Sequence, residues 1–556
     1  MAELPVEEAI LTTREGGDDG YDVDRGRRLA QWVFGLLEHA AEGRKKLTRE
    51  DQWDKDWTFI AKQKQWEGPL PTYRRPILVN IWRRAFHVVL ATLMGNRPTL
   101  KLVPGGALPQ EQFAIWQQAL WSALKTQGVL EEYADAWSWA AVGEGGVLKV
   151  GYGSAGELTE ELPDVIVRAI PPRKFFPDPE CTDPTLAECS FICFRDALDL
   201  ATIGRRYPEQ AHRVTPDGDV SMAWVQDKVP SWVGQQTAIS PTGGWTVSGQ
   251  WRRARATAVE CCVDDPAIEL REHTIPVFDP TTKALLDTRT EKRWERVYPY
   301  GRLITCTRDV TLRDIPNPFG KAWGWARRWP YVFVEGAFQP HTLWRPGLLS
   351  DLTELQRAIN KSLSVLLENA IKVTNAMVIA DENAMDDEDW DLLSLVPGVK
   401  IRKRAGTEFR VQFPEALPEH AFRLPDYFIR KLEEVVGLHD PPIAPGQAVA
   451  AKTVAFLQQK GNFLLGIMAK LGDEALERVG HRIVGLMVSR YLPNRPIPLS
   501  DGQRLTGDFA PLPELPAALR FRVEASSGFQ ELLASLFQAA QAEALATRHR
   551  TDRDRR

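Results

Sequence analysis

Cysteine is scarce in this sequence: six residues among 556, at Cys181, Cys189, Cys193, Cys261, Cys262 and Cys306. They lack the spacing of a disulfide framework, so a stapled secreted fold is excluded and reduced thiols in a cytoplasmic setting are expected. Long hydrophobic runs are missing too. The most apolar stretch near the start, AFHVVLATLMG between Arg84 and Arg97, is about eleven residues, short of the roughly 20 that a bilayer-crossing helix requires. The opening residues, MAELPVEEAILTTREGGDDGYDVD, are acidic and hold no apolar core of the kind a secretory signal needs, and residues 1–24 read as a disordered acidic leader.

Basic charge is not in excess either. Lys and Arg number 69 against 74 Asp and Glu, a net charge of −5, with an isoelectric point near 6.1. Proteins that grip nucleic acid draw affinity from lysines and arginines that displace counterions. A general DNA clamp is therefore excluded, whereas a body that DNA passes without sticking is not.

Catalytic signatures are few. GYGSAG (Gly151, Gly153, Gly156) matches the dinucleotide fingerprint, yet the following ELTEELPDVIV returns to a strand instead of opening a helix that could hold a pyrophosphate. A hairpin turn is predicted there. Tyr152 also stands where a nucleophile elbow requires its first glycine. The pair Gly320–Lys321 makes no P-loop, because Ile315 replaces the first glycine and Ala322 the hydroxyl residue. The cluster Asp386, Asp387, Glu388, Asp389 and Asp391 lacks the glycine and alternate spacing of a calcium loop and reads as a solvated helix start. Cys189 and Cys193 have no histidine placed to complete a zinc site. His439–Asp440 has no nucleophile near it in sequence. No catalytic set, metal site or cofactor is expected, and the chain is not read as an enzyme.

What is present is the makings of an α+β protein of two to four lobes, with 44% apolar and 26% charged residues. Helical periodicity opens in DRGRRLAQWVFGLLEHAAEGRKKL, with Leu29, Trp32, Val33, Leu36 and Leu37 on one face. A second helical run covers YRRPILVNIWRRAFHVVLATLMG, stopped by Gly95 and Pro98, and a third covers residues 111–142. From 143 to 340 the pattern becomes mainly antiparallel β with loops, through GGVLKVGYGSAG, DVIVRAIPPRKFFPDP, ATAVECCV, RLITCT and WPYVFVEG, and residues 205–250 read as an irregular surface segment.

The longest clean helical pattern is DLTELQRAINKSLSVLLENAIKV, residues 351–373. Its apolar residues Leu352, Leu355, Ile359, Leu363, Leu366, Ala370 and Val373 recur at steps of three and four, one stripe along a rod roughly 35 Å long. The other positions are Glu, Gln, Arg, Asn, Lys and Ser, so a strut with a narrow seam and a wet outer face is expected. After it come a small α/β patch, a second helix PEHAFRLPDYFIRKLEEVVG, the loop LHDPPIAPGQAVA, a long helix from Lys452 to about Tyr491, and a C-terminal helix with a basic end.

Taken in order, several stretches resemble the portal proteins of tailed double-stranded-DNA bacteriophages, over roughly residues 25–530. These are YRRPILVNIWRRAFHVVLATLMGNRPTLKLVPGG, RAIPPRKFFPDP, YPYGRLITCTRDVTLRDIPNPFG, WPYVFVEG, PGLLSDLTELQRAINKSLSVLLENA and VVGLHDPPIAPGQAVAAKTVAFLQQKG. The resemblance implies a homo-oligomeric ring, usually of twelve subunits, at one capsid vertex. Viral dsDNA would be packaged, retained and ejected through it. The implied partners are the terminase large subunit, which would supply ATP hydrolysis, then adaptor and tail proteins, and the major capsid and scaffolding proteins. The implied locations are the host cytoplasm during assembly and then the virion, with no membrane and no cofactor.

Mapped onto this chain, the family's plan gives a wing over 25–350 (helical 25–142, mainly β 143–340), a first stem helix over 351–373 and a clip over 374–417. A second stem helix takes 418–437, a tunnel loop 438–452, a wing return helix and strand 453–525, and a crown helix with basic tail 526–556. The stem seam would be Leu352, Leu355, Ile359, Leu363 and Leu366, with the polar face of the helix toward a water-filled channel. The channel loop would offer His439, Asp440, Pro441, Pro442, Pro445, Gln447 and Lys452, stiffened by its prolines. A clip patch of Lys400, Arg402, Lys403 and Arg404 would meet the motor or DNA. The tail arginines Arg548, Arg550, Arg553, Arg555 and Arg556 would meet packaged DNA or capsid partners. Twelve copies at −5 each give a ring of about −60, which repels a translocating polyanion more than it binds one. Two other classes stay open: a minor head or adaptor scaffold protein, and a soluble hydrolase using the 143–340 β region.

Overall fold

The computed structural model describes residues 23–61, 65–66, 76–94, 99–104, 110–153, 163–217, 255–278, 285–336, 339–347, 349–374, 377–383, 404–412, 417–436, 451–491, 496–498, 504–506 and 521–526. These form two compact units. The larger comprises Met1–Thr58, His87–Ser350 and Pro441–Arg556, the smaller Phe59–Phe86 and Asp351–Asp440.

The helices are α1 (Val23–Leu47), α2 (Glu50–Ala61), α3 (Ile81–Met94), α4 (Gln110–Thr126), α5 (Val129–Val142), α6 (Leu200–Arg206), α7 (Gly320–Trp323), α8 (Leu352–Thr374), α9 (Glu419–Phe422), α10 (Leu424–Val436) and α11 (Ala451–Arg490). The first six strands are β1 (Thr99–Pro104), β2 (Gly146–Gly153), β3 (Asp164–Ile170), β4 (Phe175–Pro177), β5 (Phe191–Asp199) and β6 (Arg255–Val263). Next come β7 (Ile268–Phe278), β8 (Leu285–Arg296), β9 (Arg302–Cys306), β10 (Thr311–Pro316) and β11 (Tyr331–Val334). The last are β12 (Met377–Ala380), β13 (Phe409–Gln412), β14 (Pro496–Pro498), β15 (Arg504–Thr506) and β16 (Phe521–Ser526). The protein is α+β, and the described strands between 143 and 340 all pair antiparallel, as the sequence predicts.

In the larger unit a five-stranded sheet, ordered β10-β9-β6-β5-β4, is buried on both faces. The apolar stripe of α1 (Leu29, Val33, Leu37, Ala40) covers Phe176, Cys193, Cys261 and Ile304 on one face. Their sequence neighbours Phe175, Ile192, Cys262 and Leu303 point the other way. They share a core with Val147, Ile170, Tyr331 and Phe333 of the three-stranded sheet β11-β2-β3. This is why CCV of β6 (Cys261–Val263) and FICF of β5 (Phe191–Phe194) are continuous apolar runs: strands covered on both sides need no polar alternation. The glycine-rich segment joins β2 to β3 as an antiparallel pair, the strand–turn–strand expected, with the turn itself outside the described residues.

α11 adds a further apolar row, Leu476, Val479, Ile483 and Leu486, all fully buried. Its buried Arg482 donates to the Trp329 carbonyl at 2.9 Å. Burial, with the charges of Arg478 and Arg327 nearby, pushes its pKa down to about 9. Near the chain's end β16 pairs antiparallel with β1, Thr99 opposite Ser526. No helix among the described residues is long and apolar enough to cross a membrane.

Four expectations change. In the run read as helix from Tyr73, residues 76–80 form no helix and α3 begins at Ile81, because amides of this segment are bonded by side chains of another helix, as shown below. The run over 111–142 is two helices, broken where Gly128 adopts φ +60, the left-handed conformation that ends helices and favours glycine. The helix expected over 418–437 breaks at Arg423, ahead of Pro425, which has no amide to continue a helix. Finally, the cysteines are not all reduced: Cys181 and Cys189 form a disulfide, while the other four are buried thiols. An eight-residue separation carries no framework signature, so spacing alone could not reveal the pair.

Candidate functional site

The smaller unit holds the strut that the sequence singles out. α8 forms over Leu352–Thr374 and packs with α10. On α10 the inward stripe is Pro425, Leu432 and Val436, all buried. Asn369 of α8 accepts a hydrogen bond from the Leu417 amide at 3.3 Å, which ties the chain entering α9 back to the strut.

Of the predicted seam, Leu352 and Ile359 are fully buried, and Leu355, Leu363 and Leu366 are half-buried. Glu354 and Lys361 are exposed on α8, but the expectation of a polar face that is wet throughout is corrected on one flank. Gln356, Asn360 and Ser364 are 0%, 1% and 2% exposed, among the most enclosed side chains of α8. Spaced four apart, they rise along one flank of the helix beside the apolar stripe. There they bond the irregular segment 76–80 and the start of α3, rung by rung. Ser364 Oγ accepts from the Ile77 amide (2.9 Å) and Asn360 Oδ1 from the Val79 amide (3.2 Å). Gln356 Oε1 accepts from both Ile81 (3.0 Å) and Trp82 (2.9 Å), while its Nε2 donates to the Val79 carbonyl (2.6 Å). Asn360 Nδ2 donates to Gln65 Oε1 at 2.5 Å.

The arrangement answers two backbone needs. A segment outside helix and sheet has no ladder to pair its amides, and the first turn of any helix has orphan N–H groups. Gln356 caps the first two amides of α3 from outside. Asn80 caps the third from within, its Oδ1 accepting from the Arg83 amide at 2.9 Å. Sequence reasoning missed these residues because Gln, Asn and Ser on a helix ordinarily face water. The available signal was their step of four directly alongside the apolar stripe.

α10 has a second stripe. Leu424, Tyr427, Lys431 and Val435 follow at steps of three and four on the side away from Leu432. Tyr427 is 55% and Val435 46% exposed. Lys431 lies with its Nζ 6.0 Å from the Tyr427 ring centre and bonds Glu434 at 2.6 Å. That bond and the carboxylate's charge raise the lysine's pKa. Nearby, Phe422 of α9 is also exposed.

Beyond α8, β12 and β13 pair antiparallel, Met377 opposite Gln412 and Ala380 opposite Phe409. Asp381 closes the hairpin end, its carboxylate accepting from the Glu408 amide at 2.7 Å and its own amide donating to the Glu408 carbonyl at 3.0 Å. Arg404 of the expected clip patch is exposed in the turn here, and Arg410, which sequence reasoning did not single out, is exposed on β13. Lys400, Arg402 and Lys403 lie outside the described residues, as do the acidic cluster 386–391, the tail arginines, and His439, Asp440, Pro441, Pro442, Pro445 and Gln447. Lys452, placed by the sequence reading at the end of the channel loop, lies in the first turn of α11.

Chemically, the smaller unit shows a braced helix pair with an apolar outer stripe. Among the described residues no group of three or more His, Cys, Asp or Glu is arranged to hold a metal ion. In the larger unit a hollow of about 40 Å³ is lined by Arg44, Asp178 and His341, and one of about 270 Å³ by Arg206, Glu209 and Arg313. No curated protein matches the chain. A family model described as Phage P22-like portal protein matches residues 38–497.

Proposed function

The chain belongs to the P22-like phage portal protein family, and from that premise we propose that it assembles into the ring-shaped channel of a capsid vertex. Double-stranded DNA would enter through that channel during packaging, be held there, and leave by it. The family's role is structural rather than enzymatic, and this chain's part is to shape the conduit while a separate terminase hydrolyses ATP. In this reading α8 and α10 are the stem, the β12–β13 hairpin with Arg404 and Arg410 belongs to the clip that meets the motor and later the tail adaptor, and residues 438–452 form the tunnel loop. The larger unit then corresponds to the wing.

The observation that carries the reading is the outer stripe of α10. A helix with one apolar face is satisfied by one neighbour; Leu424, Tyr427 and Val435 make a second face that its own unit leaves exposed. Repeated copies arranged cyclically give each such face a neighbour, through a heterologous contact that closes on itself. The polar bracing of α8 supports the same reading, since a strut lining a channel has to hold its position while a polymer moves past.

The experiment is native mass spectrometry of the purified chain, with negative-stain images of the same sample. Twelve chains of 62.6 kDa give about 750 kDa, and a particle near that mass with a central hole is expected. A species that remains a compact monomer at high concentration overturns the proposal.

A further inference from the structure

Two buried thiols face each other in the larger unit. Cys193 on β5 and Cys261 on β6 are directly opposed in antiparallel register, and their Sγ atoms lie 2.7 Å apart. That is well inside the ordinary approach of two unbonded sulfurs. Residues opposed in an antiparallel pair hold their Cα atoms about 4.5–5.5 Å apart, within the range of about 4.4–6.8 Å that a disulfide spans. The register of the sheet therefore brings the two sulfurs within bonding reach.

We propose that Cys193 and Cys261 form a cross-strand disulfide that locks β5 to β6 beneath α1, in addition to the Cys181–Cys189 bond. The reaction is thiol–disulfide exchange with a small disulfide oxidant such as oxidised glutathione. One cysteine thiolate attacks it, forming a mixed disulfide and releasing one glutathione thiol. The second cysteine thiolate attacks the protein sulfur of that intermediate and releases the other. The two cysteines lose two protons and two electrons, and the oxidant gains them as two thiols.

Burial dictates when this happens. Both thiols are fully enclosed, and desolvation, helped by neighbouring Cys193 and Glu260, raises the Cys261 pKa well above that of a free thiol. Cys261 therefore holds little thiolate in the closed sheet and neither sulfur is open to an oxidant, so exchange belongs to the stage before β5 and β6 close, or to their transient opening. The same enclosure then shields the finished bond from reductants. Cys306 is the competitor: Cys261 pairs with Ile304 and Val259 with Cys306, so Cys306 sits on the diagonal, at longer reach than the direct pair. Cys262 points into the opposite core.

The test uses the full chain, refolded from denaturant with oxidised and reduced glutathione, then treated in denaturant with N-ethylmaleimide and digested without reduction. The expected result is a linked Cys193–Cys261 peptide pair, with two of the four remaining cysteines labelled, Cys262 and Cys306. The oxidised chain should melt several degrees above the dithiothreitol-treated chain with both bonds reduced. Cys193→Ser, which retains Cys181–Cys189, should show a smaller difference. Labels on all four cysteines, or a Cys261–Cys306 link, overturn the proposal. If Cys193→Ser does not fold, Cys306→Ser decides: label on Cys262 alone upholds the pairing, and labels on Cys193, Cys261 and Cys262 refute it.

Discussion

The larger and smaller units differ in what they leave uncovered. In the larger, a sheet with both faces apolar is covered within one chain, by α1 on one side and the β11-β2-β3 sheet on the other. In the smaller, the enclosed flank of α8 includes Gln356, Asn360 and Ser364, while Leu424, Tyr427 and Val435 of α10 remain exposed. Hydrophobic burial is non-directional and tolerates small shifts. A hydrogen-bonded ladder is directional, and a slip of one residue would break every rung at once. The central sheet of the larger unit is thus covered within the chain, although Trp121 and the β7–β8 pair (Ile268, Leu270, Trp294) stay exposed, whereas the helix pair of the smaller unit holds one register and keeps an apolar face of α10 available.

The comparison can be tested through the stability each unit loses to one substitution. The largest effect belongs to the larger unit. Phe333 is fully buried, with Trp344 edge-on at 5.5 Å and Phe175 at 6.4 Å between ring centres. Phe333→Ala should cost about 3–5 kcal/mol through lost transfer energy and the cavity left behind, read as a lower urea midpoint. A midpoint equal to the parent's would mean this core does not carry the unit. Gln356→Leu is next. It roughly keeps volume but leaves the buried Trp82 amide without its acceptor and the Ile81 amide with only the Val79 carbonyl, at about 1–3 kcal/mol for a buried group left unsatisfied. Its signature is local: the Ile81 and Trp82 amides should exchange hydrogen faster while the β5–β6 amides do not. Uniformly faster exchange would erase the contrast between the units.

A smaller effect is pH-dependent. Glu260, half-buried on β6, accepts from Lys149 Nζ at 2.6 Å and the Tyr331 hydroxyl at 3.0 Å. Burial by itself would raise its pKa. The Lys149 charge, the two hydrogen bonds and the field of Arg313 outweigh burial and hold the carboxyl below its ordinary value. A depressed carboxylate contributes stability above its unfolded-state pKa and loses it as pH falls through the folded value. Stability of the larger unit should therefore drop on the acid limb, and Glu260→Gln should flatten that part of the pH profile. An unchanged acid limb in the variant would show that the pair is energetically idle.

Much of this architecture is legible in the sequence because apolar periodicity carries it. The stripe of α1, the continuous runs of β5, β6 and β9 and the length of α8 all follow from spacing. What was hidden depends on partners distant in the chain. Gln356 reads as a solvent residue until residues 79–82, some 275 positions away, are brought beside it, and the same contacts turn 76–80 from an expected helix into a segment without regular structure. The Cys181–Cys189 bond depends on a local chain path that composition does not encode. The family resemblance was legible from the order of its stretches, whereas the outer stripe of α10 was passed over because Leu424, Tyr427 and Val435 were absorbed into a single helical pattern.

That stripe yields the smallest stability effect and the sharpest test of assembly. Leu355, Ile359 and Leu363 are poor targets for it, since Ile359 is fully buried and the two leucines half-buried within the chain, and acidic replacements there would unfold the monomer and abolish rings indirectly. Tyr427 and Val435 are 55% and 46% exposed, so Tyr427→Glu with Val435→Glu should change chain stability by only about 0.5 kcal/mol each. If neighbouring copies cover this face, however, each ring places two carboxylates at every repeat of a desolvated seam, and the penalty recurs at every subunit interface. Native mass spectrometry should then show monomers that keep the parent's urea midpoint. Rings of normal mass from the double variant would mean that copies meet elsewhere, and that the exposed face of α10 is not what distinguishes the smaller unit from the larger.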